Sequence, residues 1–302
     1  MPEHGVRSRY SNCPFQVRVR DKDRVPLSAA SAFFFETGGA SFLVTNWHVV
    51  SGRHFLNGEP LACPFVEPIR LTAKLSSYEV GDRARGRFGV APHDVPLYDG
   101  EKPVWFEHPE LGSSCDVVAI PMGKPASCPD WMHKAANRID EPNIPVKPGC
   151  TVFVIGFPQA LSVGFGLPLW KSGYIASEPH YDVELGGQLS DFGGQVDGSQ
   201  VPAFFIDSQT RAGMSGAPVF ARHFQPWDMK DPYGGFDMKA PGFWKRDDVV
   251  LMGSGTQFVG CYSGRAGSKE SEAALGLCWR TDVIEAICQE RKPGRNPHFQ
   301  HS

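Results

Sequence analysis

The sequence has no long hydrophobic run. Nowhere in its 302 residues does an uninterrupted apolar stretch approach the roughly 18 residues of a membrane-crossing helix. No membrane partner is therefore expected. The amino terminus, Met1-Pro2-Glu3-His4-Gly5-Val6-Arg7, carries charge without the apolar segment of a secretory signal. With Met at position 1, the expected location is cytoplasmic. A basic excess is missing too: 30 Lys and Arg face 33 Asp and Glu, for a formal net charge of -3. Phosphate binding favours a surplus of cations, so no nucleic-acid partner is expected. The eight cysteines are Cys13, Cys63, Cys115, Cys128, Cys150, Cys261, Cys278 and Cys288. They form no Cys-x-x-Cys pair and no Cys/His group with zinc spacing, so neither a metal nor a cofactor is expected. Several lie in apolar runs, as in Cys115-Asp116-Val117-Val118, where a free thiol behaves as a small buried hydrophobe. Reduced thiols suit a reducing compartment.

What is present points to an all-β chain. Hydrophobic residues make up 41%, enough for a large core in one domain or two packed subdomains. The 33 Gly and 26 Pro punctuate short apolar runs, a pattern of strands and turns. Phe33 to Phe35, a Gly38-Gly39 turn and Ala40 to Thr45 read as a hairpin. Ile69 to Leu75 alternates like a half-buried strand. Residues 79–103 read as loop. Prolines 121, 125, 129, 142, 145 and 148 mark a connection, because proline is excluded from central strands; a little helix is expected at Trp131 to Ile139. Strands resume at Thr151 to Gly156, Gly173 to Ala176, Ala203 to Asp207, Ala217 to Phe220 and Gln257 to Tyr262. Asp282 to Glu290 reads as a helix capped by Asp282. The expected organisation is a first barrel over 1–125, a Pro-rich connection over 126–149 and a second barrel with its helix over 150–302.

Three residues suggest a chemistry. Amide hydrolysis by serine needs a hydroxyl, an imidazole to take its proton and a carboxylate to orient the imidazole. It also needs N–H donors for the oxyanion. Ser215 sits in Gly213-Met214-Ser215-Gly216-Ala217-Pro218, where Gly213 lets the backbone turn so that its N–H and that of Ser215 can share a focus. His48 follows the strand Leu43 to Thr45. Asp116 precedes the strand Val117 to Ile120, while the competing Asp82, Asp94 and Asp99 lie in loop-like sequence. Taken singly, each motif has an ordinary structural explanation; the three together are specific.

Thr45-Asn46-Trp47-His48-Val49-Val50, Asp116-Val117-Val118-Ala119-Ile120 and Gly213-Met214-Ser215-Gly216-Ala217-Pro218-Val219 resemble the His, Asp and Ser motifs of trypsin-like serine peptidases. They also fall in that family's chain order. The style is closer to bacterial, HtrA-like members, without a PDZ domain after residue 290. The resemblance implies two packed six-stranded antiparallel barrels of chymotrypsin type with a C-terminal helix. It implies a serine endopeptidase acting on a protein or peptide, with a regulatory protein as a candidate partner. His48, Asp116 and Ser215 would form the triad, and Gly213 and Ser215 the oxyanion hole. Gln209 and Thr210 would lie at the specificity pocket, with Tyr262, Ser263 and Gly264 on the edge that pairs with substrate backbone. Gln209 stands where trypsin has an acid, which disfavours strict Lys/Arg specificity. Met214 stands where many zymogens have an Asp, which argues against activation by a buried terminal amine. Trp227, Tyr233, Phe236, Phe243 and Trp244, in the long segment 221–248, are expected to shape the cleft. A binding protein on the same scaffold is the alternative; an α/β-hydrolase esterase would need the reverse motif order.

The cysteine reading has a direct check. All eight thiols should alkylate when the protein is denatured without reductant and weighed by mass spectrometry. Fewer additions would reveal disulfides.

Overall fold

A computed structural model of the chain describes residues 8–78, 88–122, 133–139, 142–164, 166–185, 199–224, 226–235, 237–265 and 275–299. The chain is all-β, with one helix of ten residues near its end. In the first half, β1 (Pro14–Arg20), β2 (Pro26–Thr37), β3 (Ala40–Thr45), β4 (Arg70–Tyr78), β5 (Phe88–Pro96), β6 (Phe106–Glu107) and β7 (Val118–Pro121) join one sheet. In the second half, β8 (Thr151–Gly156), β9 (Leu169–Ile175), β10 (Ala203–Asp207), β11 (Pro218–Phe224), β12 (Ser254–Arg265) and β13 (Leu275–Arg280) close a barrel in the order β8-β9-β10-β13-β12-β11. Two helices matter: α1 (Trp47–Ser51) and α2 (Thr281–Glu290). After α2 the chain returns to the first sheet as β14 (Lys292–Pro293), which pairs with β6.

Of the two expected six-stranded barrels, one is found, in the second half. The first half instead forms an eight-stranded sheet, β14-β6-β7-β3-β2-β1-β4-β5. It gains a strand from the C-terminal tail, and the long β4–β5 hairpin forms its other margin. The β2–β3 hairpin is as expected, with Thr37 opposite Ala40 and positive φ at both turn glycines. The loop reading of 79–103 is corrected in part: 88–96 is a strand, and its Pro92 and Pro96 are tolerated because β5 lies at the margin of the sheet. Residues 79–87 lie outside the described residues. The helix expected at 131–139 is a single 3-10 turn, Ala136–Arg138, and Trp131 lies outside the described residues. In α2 the cap position is Arg280; Asp282 sits in the first turn and accepts from the Val283 N–H at 3.0 Å.

Sheet and barrel share an aromatic seam. Phe33 meets Phe258 with ring centroids 5.4 Å apart, and Phe220 meets Phe258 at 5.6 Å and Tyr10 at 5.2 Å. Each such pair adds about 0.5–1.5 kcal/mol beyond burial. This explains why the middle of β2 is buried continuously, without alternation: one face fills its own sheet's core and the other meets the barrel. Of the seven described cysteines, only Cys63 is exposed and the other six are buried; Cys128 lies outside the described residues. Among the described residues, no helix is long and apolar enough to cross a membrane.

The long segment after β11 corrects one expectation. β11 runs from Pro218, beside Ser215, to Phe224, about 20 Å at 3.3 Å per residue. The segment therefore begins at the far end of the hairpin. There Trp227 is buried, donates its Nε1–H to the Asn143 carbonyl at 2.8 Å and packs edge-on against His223. The Tyr233 hydroxyl bonds to His180 at 2.7 Å and receives the Val146 N–H at 3.0 Å. These residues close the barrel's end against the Pro-rich connection, and Trp244 points to solvent. Phe236 lies outside the described residues. Replacing Trp227 by Ala should cost about 3–5 kcal/mol, as for other buried aromatics, measured by urea unfolding. A loss below about 1 kcal/mol would mark the segment as peripheral to the core.

Candidate active site

α1 has five residues, so its position depends on tertiary anchors. Trp47 donates its Nε1–H to Glu107 Oε1 at 3.0 Å. Glu107 is buried and also receives the Trp105 indole at 3.1 Å and the Arg295 backbone N–H at 2.9 Å. Asn46, just before the helix and fully buried, donates from Nδ2 to the Asp116 carbonyl at 2.6 Å. His48 is thereby held between a strand and a buried carboxylate.

Asp116 has no exposed surface. Its Oδ1 accepts the His48 backbone N–H at 2.9 Å, and its Oδ2 meets His48 Nδ1 at 2.7 Å. The Ser263 hydroxyl donates to the same Oδ2 at 2.5 Å. Ser263 reaches it through an irregularity in the β12–β13 ladder: Tyr262 pairs with Cys278 and Gly264 with Leu277, leaving Ser263 as the extra residue. Such a bulge re-aims a side chain. His48 keeps about a fifth of its side chain exposed, so the edge of the ring away from Asp116 can meet a solute.

Ser215 is half-buried and lies at the junction of the two halves. Its carbonyl accepts the Ser31 N–H at 2.8 Å, and the next N–H, of Gly216, donates to the Tyr262 carbonyl at 2.9 Å. A Cβ at Gly216, whose φ is +79°, would run into the Ser31 carbonyl and the Thr45 hydroxyl. That contact brings the serine turn beside the strand that leads into His48. At Gly213, φ is +93°, and a Cβ would sit 2.5 Å from the Phe157 carbonyl oxygen. The Ala212 carbonyl accepts the Gln159 N–H at 2.6 Å. Among the described residues, no hydrogen bond joins the His48 ring to Ser215, and the Gly213 and Ser215 N–H groups have no internal acceptor.

The five residues expected along the substrate cleft separate into two kinds. Gln209 is exposed and Gly264 half-buried. Thr210, Tyr262 and Ser263 are buried. The Thr210 and Tyr262 hydroxyls bond to each other, and burial pushes the Tyr262 phenol up to about 12. The Ser263 hydroxyl is engaged with Asp116. Two further residues escaped the sequence reading. Ser31, fully buried, donates its hydroxyl to the Gly213 carbonyl at 2.8 Å and accepts the Phe157 N–H at 3.0 Å. Only its small neighbours, Ala29, Ala30 and Ala32, hint at a close crossing. His54 lies near enough to feel the charges of both Asp116 and His48.

Among the described residues, no group of three or more Asp, Glu, His and Cys is arranged to hold a metal. No protein-family model matches this sequence. The curated proteins contain no similar sequence. Among solved structures, the chain is similar to the Rv3671c protease of M. tuberculosis in its active form. Identity is 14%, the TM-score 0.44, and the match covers 95% of this chain and 83% of that one. It is also similar to the serine endoprotease from Yersinia pestis, at 12% identity and a TM-score of 0.42 over 95% and 67% of the two chains. A third is the HtrA-type protease AlgW with a tripeptide, at 12% identity and a TM-score of 0.42 over 93% and 60%. Likenesses this distant transfer no residue roles.

The histidines make stability depend on pH. Burial lowers the pKa of His54, His108 and His223 below the ordinary 6.5, and at His54 the charge of Asp116 partly opposes this. Near and below pH 6.5 the unfolded chain then binds more protons than the folded one, so stability rises with pH and is lost on acidification. The urea midpoint should fall steadily from about pH 7.5 to about pH 5. A midpoint constant over that range would contradict the assignment.

Proposed function

We propose that this protein is a serine endopeptidase of trypsin-like type, with His48, Asp116 and Ser215 as its triad. The observation that carries the reading is the His48–Asp116 pair. A fully buried carboxylate accepts both the backbone and the ring Nδ1 of one histidine, which selects the tautomer that leaves Nε2 free to accept a proton. The neighbourhood of Ser215 supports the rest. Glycines of positive φ, Gly213 and Gly216, bracket Met214 and the serine, and the N–H groups of Gly213 and Ser215 have no internal acceptor among the described residues.

In this reading Ser215 Oγ attacks the substrate carbonyl as His48 Nε2 takes its proton. The oxygen of the tetrahedral adduct accepts from the Gly213 and Ser215 N–H groups. Collapse expels the amine, which takes the proton back from His48, and water then releases the acyl group by the same route. The Asp116 carboxylate stabilises the imidazolium, and Ser263 steadies Asp116. Gln209 and the backbone of 262–264 would meet substrate. Thr210 and Tyr262 would act as a rigid wall, since their hydroxyls satisfy each other. A cytoplasmic location and control by a protein partner or narrow specificity belong to the same proposal.

A second reading, a binding protein on this scaffold, is favoured by one observation: no hydrogen bond joins His48 to Ser215 in this conformation. Such bonds often tighten only when substrate is present. A fluorophosphonate probe separates the readings. It should label Ser215 in the wild-type protein, and Ser215→Ala should abolish labelling. His48→Ala should slow it on the order of 10⁴-fold or more. A folded wild-type protein that takes no label would support the binding protein.

A further inference from the structure

We infer that Gln159 and Ala160 are positioning residues: their left-handed bend, anchored by Gln16, sets which way the Ala212–Gly213 peptide faces. The inference rests on the peptidase reading, because that orientation matters to chemistry only if the Gly213 N–H serves an oxyanion.

Two successive non-glycine residues are left-handed here, Gln159 at φ 51° and ψ 32° and Ala160 at φ 58°. L-residues enter this region singly and at a cost, so something must hold the pair. Gln16 does so from the other half of the molecule. The residue is 3% exposed, and its Nε2 donates to the Ala160 carbonyl at 2.9 Å. Within the bend, the Ala160 N–H donates to Phe157 at 3.0 Å and the Leu161 N–H to Pro158 at 2.9 Å.

The bend aims the Gln159 N–H at the Ala212 carbonyl. A trans peptide carries its C=O and N–H on opposite sides. Holding the Ala212 carbonyl against Gln159 therefore turns the Gly213 N–H the other way. Gly213 cannot make this choice alone, since glycine tolerates either orientation. Its own carbonyl is pinned by the Ser31 hydroxyl at 2.8 Å, which leaves the 212–213 peptide as the free rotor. Without the Gln159 N–H, the Ala212 carbonyl loses its partner. Rotation would then place an acceptor where the developing oxyanion needs a donor.

The test uses the full chain and two readouts. One is the amide resonance of Gly213 in protein labelled with ¹⁵N-glycine, which reports the peptide whether or not the protein is an enzyme. The other is steady-state turnover. Gln16→Leu removes the anchor, and Ala160→Val makes the left-handed region inaccessible. Each should shift or broaden the Gly213 resonance and lower kcat on the order of 100-fold, comparable to losing an oxyanion donor, with KM within about twofold. Ala160→Gly, which keeps that region open, should retain the wild-type resonance. If either variant fails to fold, Gln16→Glu, which sets an acceptor against the Ala160 carbonyl, takes its place. An unmoved Gly213 resonance in folded Gln16 and Ala160 variants overturns the inference. A wild-type protein that takes no fluorophosphonate overturns the peptidase reading alone, and the resonance still decides the brace.

Discussion

A carboxylate with no exposed surface must find its donors inside the protein, and the arrangement around Asp116 follows from that requirement. Two donors come from His48, in the first half of the chain, and one comes from Ser263, in the barrel. A buried charge stripped of one partner typically costs about 3–5 kcal/mol. The two halves can therefore meet in few registers without leaving Asp116 short. The same constraint keeps His48 in one tautomer and holds the short helix that carries it.

A second junction lies at Ser31. This residue uses its N–H, its hydroxyl and its carbonyl to bind Ser215, Gly213, Phe157 and Thr45. A middle strand of the first sheet thus holds the serine turn of the second half. The aromatic seam of Phe33, Phe220 and Phe258 supplies apolar burial behind these polar contacts. The polar junctions choose the register and the seam stabilises it. Glu107 repeats the logic on a smaller scale, collecting two indole N–H groups and a backbone N–H to seat Trp47 beside His48.

Much of this is legible in the sequence. The β2–β3 hairpin showed in its paired glycines, because a two-residue turn of that kind needs positive φ. α2 showed in the spacing of Val283, Ile284 and Ile287, which are all buried. β5 did not show, because its prolines imitate a loop and only a place at the sheet's margin makes them acceptable. The place of the aromatic segment after β11 is hidden from the sequence for a related reason. Sequence places it between the serine motif and Ser263, but seven residues of extended strand carry its start to the other end of the barrel.

The sequence by itself determined the all-β character, the burial of most described cysteines and the chemical types of His48, Asp116 and Ser215 in their order. Those follow from local properties: turn residues, apolar runs and side chains with a recognisable reactivity. Only the tertiary structure decided that Ser263 completes the shell of Asp116, that Ser31 holds the serine turn, and that Gln16 reaches a left-handed bend 144 residues away. Each depends on a hydrogen bond between remote segments. A serine or glutamine in a strand carries no mark of the partner it will find; the partner is set by how sheet and barrel pack.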